Sequence, residues 1–241
     1  MRYTILIMSD VFLSVIIPAK NEEHCITETL TDVFYFLSRK SYTFEIVVVD
    51  SGSTDGTYKK VEEFSRGREN VSLIKAKELG KGSAVREGML FASGEWRMFM
   101  DADNAVSIDH IDKAEQYFKT AEIIIGSRVS EGSVIKVPQP PVRRFLGKIG
   151  ALMIHLIVPI KIKDTQCGYK FFKKDVIDKC FANLKSKRWM FDVEVLFIAK
   201  KEGIAVVEIP VVWNNGKSTT VGPSAFFDSL LQLILIRWWY I

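Results

Sequence analysis

The first half of the chain alternates short, continuous apolar runs with segments whose apolar residues recur at helical spacing. The predicted strands cover 12–18, 44–50, 71–74, 96–100 and 121–126. The predicted helices between them cover 21–39, 57–66, 84–92 and 108–119. Because the strand runs lack polar alternation, both faces of their sheet need a covering layer. The order therefore predicts an α/β fold with a mostly parallel central sheet and helices on both faces.

The second half departs from this regular alternation. We predict a loop with glycine and three prolines over 131–141, an apolar segment with basic ends over 143–163, and a polar stretch over 164–170. A last strand is predicted over 205–212, followed by an apolar, aromatic tail over 223–241. Between the polar stretch and the last strand, two helices are predicted over 171–184 and 189–201. The second of these helices has an amphipathic pattern and carries Asp192 and Glu194.

The charge balance excludes one broad class of function. The 33 basic and 29 acidic residues give a net charge of only +4, which is a mixed surface and not that of a nucleic-acid-binding protein. Cys25, Cys167 and Cys180 are too widely spaced for a disulfide framework or a zinc site, so we expect a reducing compartment. We predict no membrane span, because no apolar run reaches about 18 residues. The apolar start, 1–8, lacks the cleavage site of a signal peptide.

Polar clusters follow three of the predicted strands, over 18–22, 50–55 and 101–104. The carboxyl ends of parallel strands meet at one edge of a sheet, where α/β proteins bind ligands. Asp101 and Asp103 supply two hard oxygen ligands there, which suits Mg²⁺ or Mn²⁺ and a phosphorylated substrate. An Asp-x-Asp triplet also occurs by chance in turns and helix caps, so the triplet alone leaves both interpretations open.

Four segments of the first half resemble the GT-A glycosyltransferases of family 2. They are 14–22 with its Pro-x-x-Asn-Glu turn, 47–57, the Gly-Lys-Gly of 80–82, and 101–103. Many members of that family carry two adjacent aspartates where this chain has Asp50 and Ser51. The resemblance implies a nucleotide-binding role for Pro18, Ala19, Glu22, Asp50, Gly80, Lys81 and Asp101.

The residues of the nucleotide set also have structural alternatives. Glu22 suits the first turn of a helix, where the helix dipole favours an acidic residue. Asp50 suits a helix cap or an Asx turn. The segment 80–82 is a common surface turn before a helix, although its glycines also permit close backbone approach to a ligand.

Three segments of the second half resemble the polyprenyl-phosphate hexosyltransferases within that family. They are 126–128, 164–172 and 188–194. The motifs of 164–172 and 188–194 resemble those of the dolichyl-phosphate glucosyltransferases more closely than those of the mannosyltransferases. The resemblance implies a GT-A catalytic domain over 1–215, with a nucleotide-binding half over 12–127 and an acceptor-binding half over 128–215.

The resemblance also implies roles at the reaction centre. Asp103 binds the metal directly, and Asp101 contacts the ribose or reaches the metal through water. The set with catalytic roles is Asp101, Asp103, Asp164 and Arg128, and the set for the acceptor phosphate is Arg128, Lys170, Arg143 and Arg144. Asp164 either acts in the chemistry or positions the acceptor or a basic side chain. Asp192 and Glu194 either orient basic groups or form the wet face of a helix.

Two apolar segments are expected at a membrane surface. The segment 145–160 has basic residues on both sides, and 226–241 combines aromatic residues with Arg237. Such patterns are typical of interfacial helices, while core or dimer-interface helices are the plain alternative. A lipid acceptor favours the interfacial interpretation, so 216–241 is predicted to be an amphipathic, membrane-associated tail.

The implied activity is inverting, metal-dependent transfer of a hexose, with glucose from UDP-glucose favoured, to dolichyl or polyprenyl phosphate. The implied partners are a nucleotide-sugar donor, the lipid phosphate and the membrane surface, with Mg²⁺ or Mn²⁺ as cofactor and a homo-oligomer left open. We expect a peripheral protein on the cytoplasmic face. The alternatives are a GDP-mannose enzyme, a transferase of another UDP-sugar, and a non-catalytic membrane-associated nucleotide-binding module.

Overall fold

The computed structural model describes residues 10–137, 141–214 and 224–240, with backbone alone at 142, 143 and 224–227. Its strands are β1 (Leu13–Ala19), β2 (Phe44–Asp50), β3 (Val71–Lys75), β4 (Trp96–Met100), β5 (Ile123–Ser127), β6 (Val134–Ile135), β7 (Tyr169–Lys173), β8 (Val206–Pro210) and β9 (Val212–Trp213). Its α-helices are α1 (Ile26–Leu37), α2 (Thr57–Ser65), α3 (Lys81–Phe91), α4 (Ile111–Ala114), α5 (Pro141–Ile157), α6 (Lys174–Phe181), α7 (Phe191–Lys201) and α8 (Ser224–Trp239).

The described strands form a seven-stranded sheet in the order β3-β2-β1-β4-β7-β5-β8. The strands β1 to β4 are parallel to their neighbours within that group, and β5 is parallel to β8. The strand β7 runs antiparallel to both β4 and β5. The prediction of a mostly parallel central sheet is therefore confirmed. A second, two-stranded sheet pairs β6 with β9 in parallel.

Alternate residues of the central strands pack into two separate cores. Ile16 and its partner Val47 face the core that includes residues of α3, α6 and α7, to which α5 and α8 also contribute. Val15 and its partner Ile46 face the core formed with α1, α2 and α4. Successive side chains of a strand point to opposite faces, so apolar runs without alternation can serve both cores. Helices on both faces are thus confirmed.

The predicted helix over 171–184 is wrong in its first part, which is the strand β7. Phe171 and Phe172 are both fully buried, and they belong to the cores on opposite faces of the sheet. Neighbouring residues on opposite faces are the mark of a strand, and aromatic residues favour that conformation. The helical spacing that suggested a helix belongs to α6, which begins only at Lys174.

The amphipathic pattern predicted over 189–201 is also wrong. Every residue of α7 from Phe191 to Ala199 is buried. The helix lies in the core, with α6 beside it and the Tyr240 ring 6.2 Å from that of Phe197. The polar residues Asp192 and Glu194 are therefore not on a solvent-exposed face of the helix.

Smaller differences concern three other segments. The predicted helix over 108–119 is a broken one, in which short 3-10 turns flank α4. The predicted loop over 131–141 contains β6, and the predicted last strand over 205–212 is divided into β8 and β9. The segments 1–8 and 216–223 lie outside the described residues.

In the described part of the chain, no helix combines the length and the apolar content that crossing a bilayer would require. The helices α5 and α8 contact each other and carry exposed apolar side chains. These are Phe145, Leu146, Leu152, Leu156, Leu231, Ile234 and Trp238.

We predict that Gly88→Ala destabilises the fold by about 1–3 kcal/mol, since overpacked cores lose stability on this scale. A Cβ at Gly88 would lie 2.5 Å from Ile16 Cγ2 and 2.9 Å from Val49 Cγ2, where α3 crosses β1 and β2. The measurement is the free energy of unfolding from urea titration. Gly150→Ala, a helical glycine with nothing within 4 Å of the added carbon, is the matched control and should be neutral or stabilising. Equal stability of the two variants would contradict the close packing of α3 on the sheet.

Candidate functional site

The polar clusters after β1, β2 and β4 meet at one edge of the sheet, as predicted. Ala19 pairs with Asp50 at the carboxyl ends of β1 and β2, and the Ser51 amide donates to the Ala19 carbonyl at 2.8 Å. Asp101 follows directly after β4, which is the other neighbour of β1. The sheet therefore brings the candidate nucleotide residues and the Asp-x-Asp triplet to one edge.

The two aspartates of the triplet have different environments. Asp101 Oδ1 accepts from Lys81 Nζ at 2.5 Å, while Asp103 Oδ1 accepts from the Ala105 amide at 3.1 Å. Burial, and then repulsion by Asp101, raise the pKa of Asp103. Burial would lower the pKa of Lys81, but attraction by Asp101 and Asp192 outweighs it and the pKa is raised. The three neighbouring side chains of Asp101, Asp103 and Lys81 therefore combine two carboxylates with one ammonium.

This donor set fits a divalent cation. Asp103 has a second carboxylate oxygen beyond the one that accepts from Ala105, and Asp101 has its Oδ2 beside the oxygen that Lys81 occupies. Two carboxylates with uncommitted oxygens, in a site whose burial penalises their charge, suit a hard cation such as Mg²⁺ or Mn²⁺.

A second group of candidate ligands lies beside the first. The ligand atoms of Glu22, His24 and Cys25 are all within 4.8 Å of one another. However, the Cys25 thiol donates to Glu22 Oε2 at 3.3 Å, and burial raises the pKa of that thiol to about 12. A protonated thiol is a poor metal ligand, so this second group suits a hard cation less well than the two aspartates do.

Glu22 lies in the turn after β1, at the same edge of the sheet as the two aspartates. Its amide donates to Thr57 Oγ1 at 2.8 Å, which ties the turn after β1 to the start of α2. Burial raises the pKa of Glu22, and the charges of Asp103 and Asp101 act in the same direction. The three carboxylates are therefore close enough to influence one another.

Asp50 is tied to the loop that follows it by a hydrogen bond to a backbone amide, which reaches three residues on and is neither the two-residue Asx turn nor the cap of α2. It is 5% exposed and accepts from the Ser53 amide at 3.3 Å. Asn21, which the sequence reasoning did not assign to the site, completes the loop: its Oδ1 accepts from the Thr54 amide at 2.8 Å, and its φ is 58°. Asparagine tolerates this left-handed conformation better than most residues. Its position in the Pro-x-x-Asn-Glu turn was the feature of the sequence that could have assigned it to the site.

The glycines of the segment 80–82 meet the chain's own backbone. A Cβ at Gly80 would lie 2.1 Å from the Lys187 carbonyl oxygen, and one at Gly82 would lie 2.5 Å from the Ser186 carbonyl oxygen. The Gly80 amide donates to Ser51 Oγ at 3.0 Å. The close approach seen in the described residues is to the segment 185–190 and to Ser51, and the predicted approach to a ligand stays a prediction.

Gly168 is a site residue that the sequence reasoning quoted but did not assign. A Cβ at this position would lie 2.2 Å from Asp101 Oδ2 and 2.5 Å from its Cγ. Any side chain here would displace the Asp101 carboxylate. The glycine of the Gln-Cys-Gly motif indicated a position where a side chain is not tolerated. The sequence did not show that the group it makes room for is Asp101, 67 residues earlier.

Lys170 lies beneath the site and not on its surface. The residue is fully buried, and its Nζ donates to Asp192 Oδ1 and to the Cys167 carbonyl, both at 2.5 Å. This placement disagrees with the predicted direct contact to an acceptor phosphate, because the ammonium is already enclosed and paired. Asp192 does orient a basic group, which is one of the two roles expected for it.

Arg128 and Asp164 form a bidentate ion pair. Arg128 Nε donates to Asp164 Oδ2 at 2.7 Å, Nη2 donates to Oδ1 at 2.8 Å, and the Arg128 amide donates to Oδ2 at 2.9 Å. Burial would raise the pKa of Asp164, but the guanidinium outweighs it and holds the pKa below its usual range. Asp164 therefore stays ionised and positions a basic side chain.

The remaining predicted residues have simpler descriptions. Arg144 is exposed in the first turns of α5, and the side chain of Arg143 lies outside the described residues. Glu194 is fully buried and accepts from the backbone amides of Lys185 and Ser186, so it orients amides and not the basic groups expected.

Solved structures share this architecture. Glucosyl-3-phosphoglycerate synthase of Mycobacterium tuberculosis, crystallised with Mn²⁺, uridine diphosphate and phosphoglyceric acid, matches with a TM-score of 0.71 at 14% identity, over 94% of this chain and 77% of its own. Mannosyl-3-phosphoglycerate synthase of Rubrobacter xylanophilus matches with a TM-score of 0.69 at 15% identity, over 95% and 74%. Both are similar to this chain in the GT-A fold.

Curated relatives are similar in sequence along most of the chain. A dolichyl-phosphate beta-glucosyltransferase of Trichomonas vaginalis is 33% identical over 97% of this chain and 73% of its own. The enzyme of that name from Saccharomyces cerevisiae is 36% identical over 96% and 76%, and the human one is 31% identical over 92% and 72%. The model of glycosyl transferase family 2 matches residues 14–181. On this similarity, and with the strand-end carboxylates in a GT-A sheet, the chain belongs to glycosyl transferase family 2.

Proposed function

We propose that this chain transfers glucose from UDP-glucose to dolichyl or polyprenyl phosphate, with inversion at the sugar and with Mg²⁺ or Mn²⁺ bound by Asp103 and Asp101. The observation that carries the proposal is the carboxylate pair, with Lys81 beside it, at the strand-end edge of a GT-A sheet. The names of the curated relatives support the acceptor and the sugar. The uridine diphosphate and Mn²⁺ in a structure of the same fold support the nucleotide and the metal.

The donor side of the reaction needs charge compensation more than proton transfer. The bond between the anomeric carbon and the β-phosphate oxygen breaks, and its electron pair leaves with the nucleoside diphosphate. A divalent cation neutralises the diphosphate charge when it is bound. Asp103 and Asp101 hold that cation, while the Lys81 ammonium balances Asp101 and adds positive charge at the same edge.

The acceptor side requires an anion held in line with the breaking bond. A phosphate oxygen of the acceptor forms the new bond to the anomeric carbon, and because it is already ionised no base has to remove a proton. The lowered pKa of Asp164 agrees with this, since it makes the carboxylate a weak base. The contribution of the chain is therefore positioning and electrostatics.

Arg128 is the side chain that we assign to the acceptor phosphate. A guanidinium has five N–H donors, and Asp164 takes one from Nε and one from Nη2. The other three remain for a phosphate, whose geometry a guanidinium matches. Lys170 acts through Asp192 and the Cys167 carbonyl, as a buried positioning residue. Arg143 and Arg144 remain proposed contacts of the lipid phosphate.

The pair of helices α5 and α8 is the proposed contact with the membrane. Their exposed apolar residues include Leu156 at 70% and Trp238 at 73%, and Lys148 is exposed on α5. Apolar side chains beside basic ones suit the head-group layer of a bilayer. A long-chain lipid acceptor brings the enzyme to that layer. The cytoplasmic face is the side of the membrane that we propose for it. The division into nucleotide-binding and acceptor-binding halves, 12–127 and 128–215, is part of this proposal.

The alternatives differ in donor or in class. GDP-mannose or another UDP-sugar requires only a different base or sugar pocket around the same carboxylates. A non-catalytic nucleotide-binding module requires no complete metal set, and the retained pair Asp101 and Asp103 favours the enzyme.

We predict that UDP-glucose with Mn²⁺ raises the melting temperature more than GDP-mannose does at equal concentration. At about 100 times the dissociation constant, a ligand stabilises the folded state by about 2.7 kcal/mol, which corresponds to about 5–10 °C for a domain of this size. The measurement is thermal unfolding with each donor, with and without EDTA. A larger rise with GDP-mannose would overturn the choice of donor.

Asp103→Asn should reduce transfer by about 10²-fold or more, because it removes a charged ligand from the proposed metal site. The measurement is sugar transfer to a polyprenyl phosphate at saturating Mn²⁺, with metal affinity measured alongside. Asp175→Asn, a change at an aspartate that is 77% exposed on α6, is the matched control and should retain full activity. Full activity of Asp103→Asn, or of the wild type in EDTA, would refute the metal-dependent mechanism.

Arg128→Lys should raise the KM for the lipid phosphate by about 10-fold or more, since an ammonium cannot pair with Asp164 and a phosphate in the geometry of a guanidinium. Nucleotide affinity should change little. Arg66→Lys, at an exposed arginine on the end of α2, is the control. An unchanged acceptor KM in Arg128→Lys would remove Arg128 from the acceptor site.

A further inference from the structure

The segment 185–190, between α6 and α7, forms a wall of the proposed donor site. Its Lys187 carbonyl accepts from the Ser83 amide at 3.1 Å, and the two glycines on either side of Lys81 pack against its backbone. Its Trp189 ring lies 5.8 Å from Lys81 Nζ. The first turn of α3, and with it the ammonium that pairs with Asp101, therefore rests on this segment.

Glu194 holds the same segment from the other side. Its Oε1 accepts from the Lys185 amide at 2.8 Å and its Oε2 accepts from the Ser186 amide at 2.6 Å. The side chain is fully buried, so these amides substitute for the water that the carboxylate has lost. A shift of Glu194 would move the backbone that faces Gly80 and Gly82.

The third donor to Glu194 comes from the far end of the chain. The Tyr240 hydroxyl, just beyond the end of α8, donates to Glu194 Oε1 at 2.7 Å. Closer to the start of the same helix, Asp228 Oδ2 accepts from Arg188 Nη1 of the segment at 3.0 Å. The helix α8 thus contacts the segment directly through Asp228, and Tyr240 reaches it through Glu194. The exposed side chains of the same helix include Leu231 and Trp238.

We propose that Glu194 and Tyr240 are positioning residues of the donor site, which link α8 to Lys81 and Asp101 through the backbone of 185–190. The proposal rests on the proposed function in one respect: it takes the site of Lys81 and Asp101 to bind the nucleotide diphosphate. Because Tyr240 touches neither of these residues, its effect on the donor has to pass through Glu194 and the segment.

This assignment differs in its consequences from a purely structural one. A structural hydrogen bond adds to global stability, and its loss leaves the donor affinity of the folded protein unchanged. A positioning bond changes the local order at Gly80 and Ser83 and the affinity for the donor, even at temperatures where every molecule is folded.

The test compares Tyr240→Phe with Tyr42→Phe. Tyr42 is the matched control because its hydroxyl also donates to a glutamate, Glu115, at 2.8 Å, and the contacts that it makes lie outside 185–190. Each variant loses one hydroxyl and one bond to a carboxylate. Amide hydrogen exchange in the metal-free, donor-free protein measures local order, and calorimetry with UDP and Mn²⁺ measures affinity.

In Tyr240→Phe we expect about 5-fold or more faster exchange at the Ser83, Lys185 and Ser186 amides, and about 5-fold or more weaker binding of UDP with Mn²⁺. Tyr42→Phe should match the wild type in both. The KM for the donor should rise in Tyr240→Phe while the KM for the acceptor stays constant. Unchanged exchange and unchanged UDP affinity would overturn the proposal.

A second variant separates the two proposals. Glu194→Gln replaces one acceptor oxygen by a donor facing a backbone amide, and should exceed Tyr240→Phe in both measurements. If exchange at Ser83 responds but UDP binds neither the wild type nor the variants, the link between α8 and α3 stands and the proposed donor is wrong. If UDP binds the wild type and both variants equally, the positioning role is wrong and the donor assignment stands.

Discussion

The ion pair between Lys81 and Asp101 is the interaction on which the rest of the site depends. Three carboxylates, those of Glu22, Asp101 and Asp103, gather at one edge of the sheet. Burial, and then the charge of neighbouring carboxylates, raise the pKa of Glu22 and of Asp103. A single ammonium offsets part of that charge. The remaining negative charge is the basis of the proposal that a divalent cation, and with it a diphosphate, binds at this edge.

The surroundings of this pair are built to keep both partners in one position. Gly168 leaves room for the Asp101 carboxylate, and Gly80 and Gly82 let the first turn of α3 lie directly on a neighbouring backbone. One layer below, Lys170 and Asp192 bind each other in the interior. A buried pair of this kind is costly to desolvate, and removing either partner would leave an unpaired charge in the interior.

The sequence predicted those parts of the fold whose signals are local. The apolar strands of the first half and the polar clusters at their ends needed only neighbouring residues to be recognised. The strand β7 was missed because its aromatic pair precedes a true helix with the same spacing of apolar residues. Lys170 and Glu194 were misjudged because charged residues are normally exposed. Lys170 meets Asp192 only when β7 and α7 come together, and Glu194 meets the amides of Lys185 and Ser186 only when the segment before α7 folds back onto that helix.

The placement of β7 has a consequence for how the chain can be divided. The strand β5 ends the proposed nucleotide-binding half, yet it is joined to β4 only through β7, which comes some 40 residues later. The strand that joins β4 to β5 is therefore made later in synthesis than both of them. Until β7 is in place, β4 and β5 each have an unpaired edge. The two proposed halves therefore share one sheet, and a chain that stops at residue 127 lacks β7, the strand that joins β4 to β5.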